Sequence, residues 1–365
     1  MSETDQRPTG GTAAVGDGPF GRRAPVAAGL TVVVLALGLL TWAKYVPYSV
    51  KVPHVLDSHS LGASILTGDG AVAQGASLAA GWHFTVAYLS SVWQALVAGL
   101  VLAAAVQVLL PTTWLQRALG SSGGTRGGIR GALWSVLTLM CSCCAAPVAV
   151  GLRRLRANLP ATVGFWLGNP ALNPVVLVLC LAVLPWPWAV LRLAAGLAVV
   201  AAGITAARWE ERRTLVVPDG PATVATDQPV VVGSLPVRYA QALAGLARRL
   251  LPEFLVIVFV LGAFCSVLFP IDAAVPGVAV LAVSLAIAGL LLPVPTGGEV
   301  AVVAAGLAAG MPVPAAAVLL VTLPMLSLPS VLMVRSVVPR RVLERTAGAA
   351  LGVGLLAAAV APALA

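Results

Sequence analysis

Charge is what this sequence has least of. Only 10% of the 365 residues are charged, and of thirteen acidic residues only Glu253 and Glu299 lie in or beside long apolar stretches. With 59% hydrophobic residues and a mean hydropathy of +0.98, the composition excludes a water-soluble domain and points to a polytopic membrane protein. The five cysteines show no paired spacing across an exported domain, which excludes a disulfide framework. The glycine-rich run Gly123-Gly124-Thr125-Arg126-Gly127-Gly128 lacks the Gly-Lys-Ser/Thr ending of a phosphate-binding loop, so an ATP-driven pump is not supported. Lysine is almost missing, two against twenty arginines, and amid abundant Ala, Gly and Pro this suggests a GC-rich bacterial genome. The net charge of +9 comes from arginines clustered at the ends of apolar runs, where they meet anionic lipid headgroups. The expected surroundings are therefore a lipid bilayer and not nucleic acid, and no cofactor is implied.

The chain divides by composition. Residues 1–24 are polar and rich in Gly, Pro and Thr, and read as a disordered tail. Residues 25–43 are too long for a signal-peptide core and read as an uncleaved first transmembrane span. Residues 44–85 read as an extracytoplasmic loop holding all three histidines, His54, His59 and His83, expected to be solvated or interfacial in preference to a metal site. Two further units follow, 86–208 and 239–365, joined by a cytoplasmic linker at 209–238.

The two units repeat. Leu159-Pro160-Ala161-Thr162 matches Val313-Pro314-Ala315-Ala316, and Asn169 to Pro174 matches Leu323 to Leu328, both at an offset of 154 residues. That offset also lays Cys141 to Cys144 on Pro295-Thr296-Gly297-Gly298, next to Glu299. Basic connections in one unit face non-basic ones in the other: Arg117, Arg126 and Arg130 against a stretch with only Asp272, Arg153, Arg154 and Arg156 against Leu307 to Gly310, and Pro185 to Trp188 against Pro339-Arg340-Arg341. Under the positive-inside rule the units point in opposite directions. Opposite directions need an odd number of crossings per unit. The sequence therefore predicts an all-α protein of the bacterial inner membrane, N-terminus cytoplasmic, with an N-terminal span plus two inverted repeats of three spans and one re-entrant hairpin each. Each hairpin arm needs about 10 residues, half of a ~30 Å core at 1.5 Å per residue. The hairpins turn at Cys141 to Ala146 and at Pro293 to Gly298, and their tips meet near the midplane. The alternative is nine or ten full spans in a parallel arrangement.

The tips carry the candidate chemistry. Cys141, Cys143 and Cys144 stand within four residues deep in an apolar run, followed by Pro147, which can open a helix at its first turn. Irregular backbone at membrane depth is tolerated where it lines a cavity, so a Cys-rich break suggests a pathway. The competing reading is that the cysteines are small filler at a helix contact, and a disulfide within the cluster stays open. Glu299 follows Gly297 and Gly298 at the second tip, as a buried carboxylate suited to carry a proton or as a first-turn acid stabilised by the helix dipole. Thr296 completes that tip. Asn169, Asn173 and Ser327 sit beside prolines in matched mid-span positions, to line a passage or merely to satisfy the kinked backbone. Asn173 and Ser327, related by the repeat, are the better site candidates. Glu253 and Arg192, near span ends, are expected to snorkel, and the isolated Cys180 and Cys265 to pack.

Together the runs Cys141-Ser142-Cys143-Cys144-Ala145-Ala146-Pro147 to Arg154, Asn169-Pro170-Ala171-Leu172-Asn173-Pro174 and Leu326-Ser327-Leu328-Pro329-Ser330 resemble the bacterial predicted-permease family that includes organoarsenical efflux permeases. The likeness runs from about Val86 to the C-terminus; members often have a Cys-Ser-Cys-Gly run at the first tip, from which Cys144 departs. The resemblance implies a secondary transporter, not an enzyme, moving a small molecule or ion. In the arsenical version Cys141, Cys143 and Cys144 hold a soft metal or trivalent arsenic, and Glu299 couples to protons. A membrane thiol-disulfide oxidoreductase and a passive channel are the alternatives; the first lacks a quinone-site signature and a soluble partner domain.

Overall fold

The computed structural model describes residues 23–62, 76–110, 124–216, 234–268 and 277–363. Most of the expected tail, the connection carrying Arg117, the centre of the 209–238 linker, the Asp272 connection and the middle of the 44–85 loop lie outside the described residues. Among the described residues there is helix and no strand. Among these residues six stretches are long and apolar enough to cross a bilayer: Gly29–Ser58, Leu78–Leu109, Leu159–Val183, Trp186–Arg213, Val313–Val334 and Arg340–Ala363. The polytopic membrane class read from composition therefore holds.

The first crossing is α1 (Arg23–Leu40), a single π-helical turn (Thr41–Tyr45) and α2 (Val46–Ser58). Residues 44–58, expected as the start of a loop, thus continue the helix. Pro47 explains the widened turn, since it has no N–H for the Ala43 carbonyl and its ring crowds that carbonyl. Leu30, Val34 and Leu37 are exposed on the protein and suit contact with lipid.

The first unit then runs α3 (Leu78–Leu109), α4 (Thr125–Val136), α5 (Ser142–Arg154), α6 (Leu159–Ala171), α7 (Pro174–Val183) and α8 (Trp186–Val216). The second runs α9 (Leu235–Ala263), the short α10 (Cys265–Leu268), α11 (Val278–Leu291), α12 (Gly298–Ala308), α13 (Val313–Met325), α14 (Leu328–Val334) and α15 (Arg340–Val360), closed by a 3-10 turn at Ala361–Ala363. Helix starts recur at the offset read from sequence: Leu159 with Val313, Pro174 with Leu328, Trp186 with Arg340. The crossings Leu159–Val183 and Val313–Val334 are each broken in the middle. Pro170 and Pro324 sit in the last turns before the breaks, and Asn173 and Ser327 cap the helices that follow. The pairs α4–α5 and α11–α12 are too short to cross singly, since 11 to 14 residues span roughly 16–21 Å.

Repeat-related helices pack antiparallel. The Ser77 N–H donates to the Ala263 carbonyl at 3.2 Å at one end of α3 and α9, and the Tyr239 hydroxyl donates to the Val101 carbonyl at 3.1 Å near the other. In α8 and α15, Trp209 lies under the Arg345 guanidinium at 4.2 Å, while Gly203 faces Thr346. Inside the first unit α4 lies directly on α6. A Cβ added to Gly164 would come 2.2 Å from the Gly128 carbonyl oxygen, so the two backbones touch.

Candidate functional site

The first break, between α4 and α5, is held from outside. Leu139 takes a left-handed φ of 50°, and the chain re-enters helix at Cys141, which caps α5 in extended conformation. Asn169 braces this turn: its Oδ1 accepts from the Met140 N–H at 3.3 Å and meets the Thr138 hydroxyl, while its Nδ2 donates to the Phe165 carbonyl at 2.9 Å. Asn169 thus ties the turn to α6 through two backbone groups and the Thr138 hydroxyl.

The bracing gathers three free thiols. Cys141 Sγ lies 3.1 Å from Cys143 Sγ and 2.9 Å from Cys144 Sγ, and the Cys143–Cys144 separation is 4.0 Å. All three are buried, and among the described residues they form the one cluster of metal-ligating side chains. The exposed His54, His59 and His83 take no part in it. Sulfur is a soft ligand, so such a triad suits a soft metal or metalloid. Cys141 and Cys144 also stand at Cys-x-x-Cys spacing. Tyr88 of α3 places its hydroxyl 2.9 Å from Cys143 Sγ. Pro147 lies within α5 and not at its start; having no N–H, it leaves the Cys143 carbonyl without its in-helix donor.

The second break leads into α12. Gly297 caps it at φ +84°, a conformation that favours glycine, and an added Cβ would come 2.9 Å from Leu179 of α7. Gly298 opens the helix, and Glu299 follows fully buried in its first turn. Its Oε1 accepts from Arg192 Nη2 at 3.1 Å, and the same nitrogen donates to the Pro170 carbonyl at 2.7 Å. Arg192, expected to snorkel, is instead 1% exposed. The carboxylate brought in by the second break holds the guanidinium inward, inside the protein. Glu253 does lie near the surface, bonded to Arg335 at 2.7 Å. Cys180 and Cys265 are buried apart from the triad.

The two breaks meet. Met140 and Cys141 from the first, Pro295, Thr296 and Glu299 from the second, and Pro170 and Pro324 from the broken crossings line one small cavity of about 10 Å³, room for roughly one water. A larger cavity of about 240 Å³ adjoins it through Pro295 and Thr296, bounded on its other side by Lys44, Tyr48 and Lys51. Lys44 Nζ donates to Thr296 Oγ1 at 3.2 Å. Ser327 caps α14 and its hydroxyl lies 3.2 Å from that of Ser142 in the first break. Asn173 caps α7 through the Val175 N–H at 3.1 Å, and its buried Nδ2 has no partner.

Reading the sequence missed Lys44, Tyr48, Lys51, Tyr88 and Arg192. The first three follow the i, i+4, i+7 spacing of one helix face, which becomes visible once the first helix is extended past Ala43. Arg192 stands between leucines in an apolar run, and an ionisable group there calls for an internal partner.

A family model described as a predicted permease matches residues 77–222. Over 308 residues the chain is also 39% identical to the UPF0718 protein YraQ of Escherichia coli (strain K12), spanning 84% of this chain and 87% of that protein. The chain belongs to the predicted permease family. A likeness of that length in a chain of 365 residues takes in both breaks and not only the first unit. For a predicted permease with several helices apolar enough to cross a membrane, a small molecule or ion within the membrane is the natural cargo, and transport takes precedence over catalysis. No solved structure matches the chain.

Proposed function

We propose that this predicted permease is a secondary transporter of the bacterial inner membrane, with its N-terminus cytoplasmic and its two units inverted. In this reading α4–α5 is a re-entrant hairpin from the cytoplasm and α11–α12 its counterpart from the opposite face. The antiparallel packing of α3 on α9 and of α8 on α15 supports inversion, because a parallel repeat would not lay equivalent helices head to tail. Arg153 and Arg154 in the last turn of α5 suit its cytoplasmic end. The observation that carries the reading is that Cys141 and Glu299, one from each break, line the same cavity.

The cargo proposed is a soft metal or metalloid, trivalent organoarsenicals in particular. Each arsenic–sulfur bond forms as a thiol proton and an arsenic-bound hydroxide leave together as water, so binding needs no oxidant. Release reverses the step. Glu299, held by Arg192 in the state described, is the group proposed to couple cargo to protons. In proteoliposomes, replacing Cys141, Cys143 and Cys144 together by serine should reduce transport of trivalent methylarsenicals to background. Glu299→Gln should remove the pH dependence of what transport remains. Full transport by the triple variant would end the thiol reading.

The contacts also differ between the halves. Ser142 meets Ser327, whereas the repeat-related Thr296 bonds Lys44 and leaves Asn173 Nδ2 unpaired. We read this as one of two alternating states, with the first break closed on the second unit and the second break opened toward the larger cavity. The Cys-x-x-Cys spacing of Cys141 and Cys144, at 2.9 Å between sulfurs, favours dithiol redox chemistry as the second reading. Redox at the first break alone would not need Glu299.

A further inference from the structure

Lys44 is midway along the crossing Gly29–Ser58. An ammonium there is costly unless something neutralises it, and intramembrane charges mark pathways and their partners. Among the described residues the buried charged side chains are Lys44, Arg192, Glu210 and Glu299. Arg192 and Glu299 cancel each other, and Glu210 lies 4.0 Å from Arg341 at the far end of α8. Lys44 enters none of the ion pairs among these residues. Its one hydrogen bond among the described residues is to the neutral Thr296, and the ring of Tyr48 lies 5.6 Å below it. Two of its three donors are left over.

The leftover charge faces space. The cavity of about 240 Å³ is several times the ~30 Å³ share of one water, and Lys51, about two turns further along the same face, borders it as well. Opposite stand Thr296, Gly297 and Gly298, the N-terminal end of α12; the Gly298 N–H already donates to the Pro295 carbonyl at 2.8 Å, so what this end offers an anion is the positive pole of the helix dipole. Among the described residues no carboxylate lines this cavity. The π-turn at Thr41–Tyr45 carries Lys44, and such turns recur at functional sites.

We propose that this cavity is an anion-binding site, in which Lys44 and Lys51, beside the positive end of α12, take a small oxyanion or carboxylate. The inference stands on charge and space and does not depend on the thiol chemistry. If both hold, the cargo combines a negative charge with a soft centre. If only this one holds, the anion is itself the cargo or the co-transported ion.

Purified full-length protein in detergent would be unfolded thermally against increasing sodium sulfate and, separately, sodium acetate, at ionic strength held constant with chloride. Sulfate tests the oxyanion and acetate the carboxylate. A saturable rise in the midpoint is expected for at least one of them, since a ligand that binds only the folded state stabilises it by mass action. Its half-saturating concentration should rise tenfold or more in Lys44→Gln and in Lys51→Gln, and return toward the original in Lys44→Arg. Lys51 is exposed, so its variant keeps the test open if Lys44→Gln does not fold. The triple Cys→Ser variant should keep the anion response, which separates this inference from the thiol reading. A rise that never saturates is the general effect of excluded salts on surface burial and overturns the proposal. Equal saturable rises in the original and both glutamine variants would also overturn it.

Discussion

Removing the Arg192 guanidinium would strand the Glu299 carboxylate beneath the surface with nothing to balance it. Breaking a buried pair from one side costs about 3–5 kcal/mol, whereas replacing both partners by apolar groups of similar volume is often close to neutral. Arg192→Met should therefore lower the thermal midpoint strongly, and Arg192→Met with Glu299→Leu should recover most of that loss while abolishing proton-coupled transport. Equal losses in the single and double variants would mean that the pair contributes nothing beyond packing. Asn169 is a contrasting residue. The sequence marks it as polar among apolar neighbours, yet its Oδ1 meets Thr138 and Met140 at the turn that carries the cysteines, and its Nδ2 donates to the Phe165 carbonyl of its own helix. Its Oδ1 accepts from the Met140 N–H, next to Cys141. A residue type cannot reveal whether it lines a passage or satisfies the backbone, because both need the same donor and acceptor.

Helices here are positioned by small residues and broken by prolines. The α4–α6 contact has no side chain at its centre, only Gly128 against Gly164. Gly164→Leu should push the two helices apart, at about 1–3 kcal/mol or more, because a carbonyl oxygen cannot move aside as a side chain can. Gly348→Leu is the matched control, since an added Cβ there meets nothing within 4 Å. Folded yield and melting temperature in detergent should fall for the first and not for the second. The breaks themselves were readable, because proline and an Asn or Ser cap leave a local signature at 170–174 and 324–329. The continuation of the first helix past Ala43 was not. The segment 44–58 is polar enough to read as loop, and its helix rests on packing of α2 against α7 that no local pattern announces.

For the whole molecule, orientation and alternation are the two claims to measure. Reporter fusions after Arg154 and after Gly310 should report opposite faces of the membrane, with Arg154 cytoplasmic. A periplasmic signal at Arg154 would rule out the hairpin arrangement. In a background without the native cysteines, Ser142→Cys with Ser327→Cys should cross-link in one state and Asn173→Cys with Thr296→Cys in the other. Cross-linking of both pairs in one molecule at once would contradict alternation.

Composition alone determined the membrane class, because 59% hydrophobic residues and 10% charge leave no soluble solution. A one-dimensional offset of 154 residues determined the repeat, and it is visible because matched prolines and caps recur at fixed spacing. Which charges end up alone was decided only in three dimensions. Arg192 and Glu299 are more than a hundred positions apart, and Lys44 and Thr296 more than two hundred, so only the packing of the two units decides that the first pair cancels and that Lys44 is left facing an open cavity. Electrostatic partnership depends on distance through space, and sequence spacing carries almost none of that information once the chain has crossed the membrane several times.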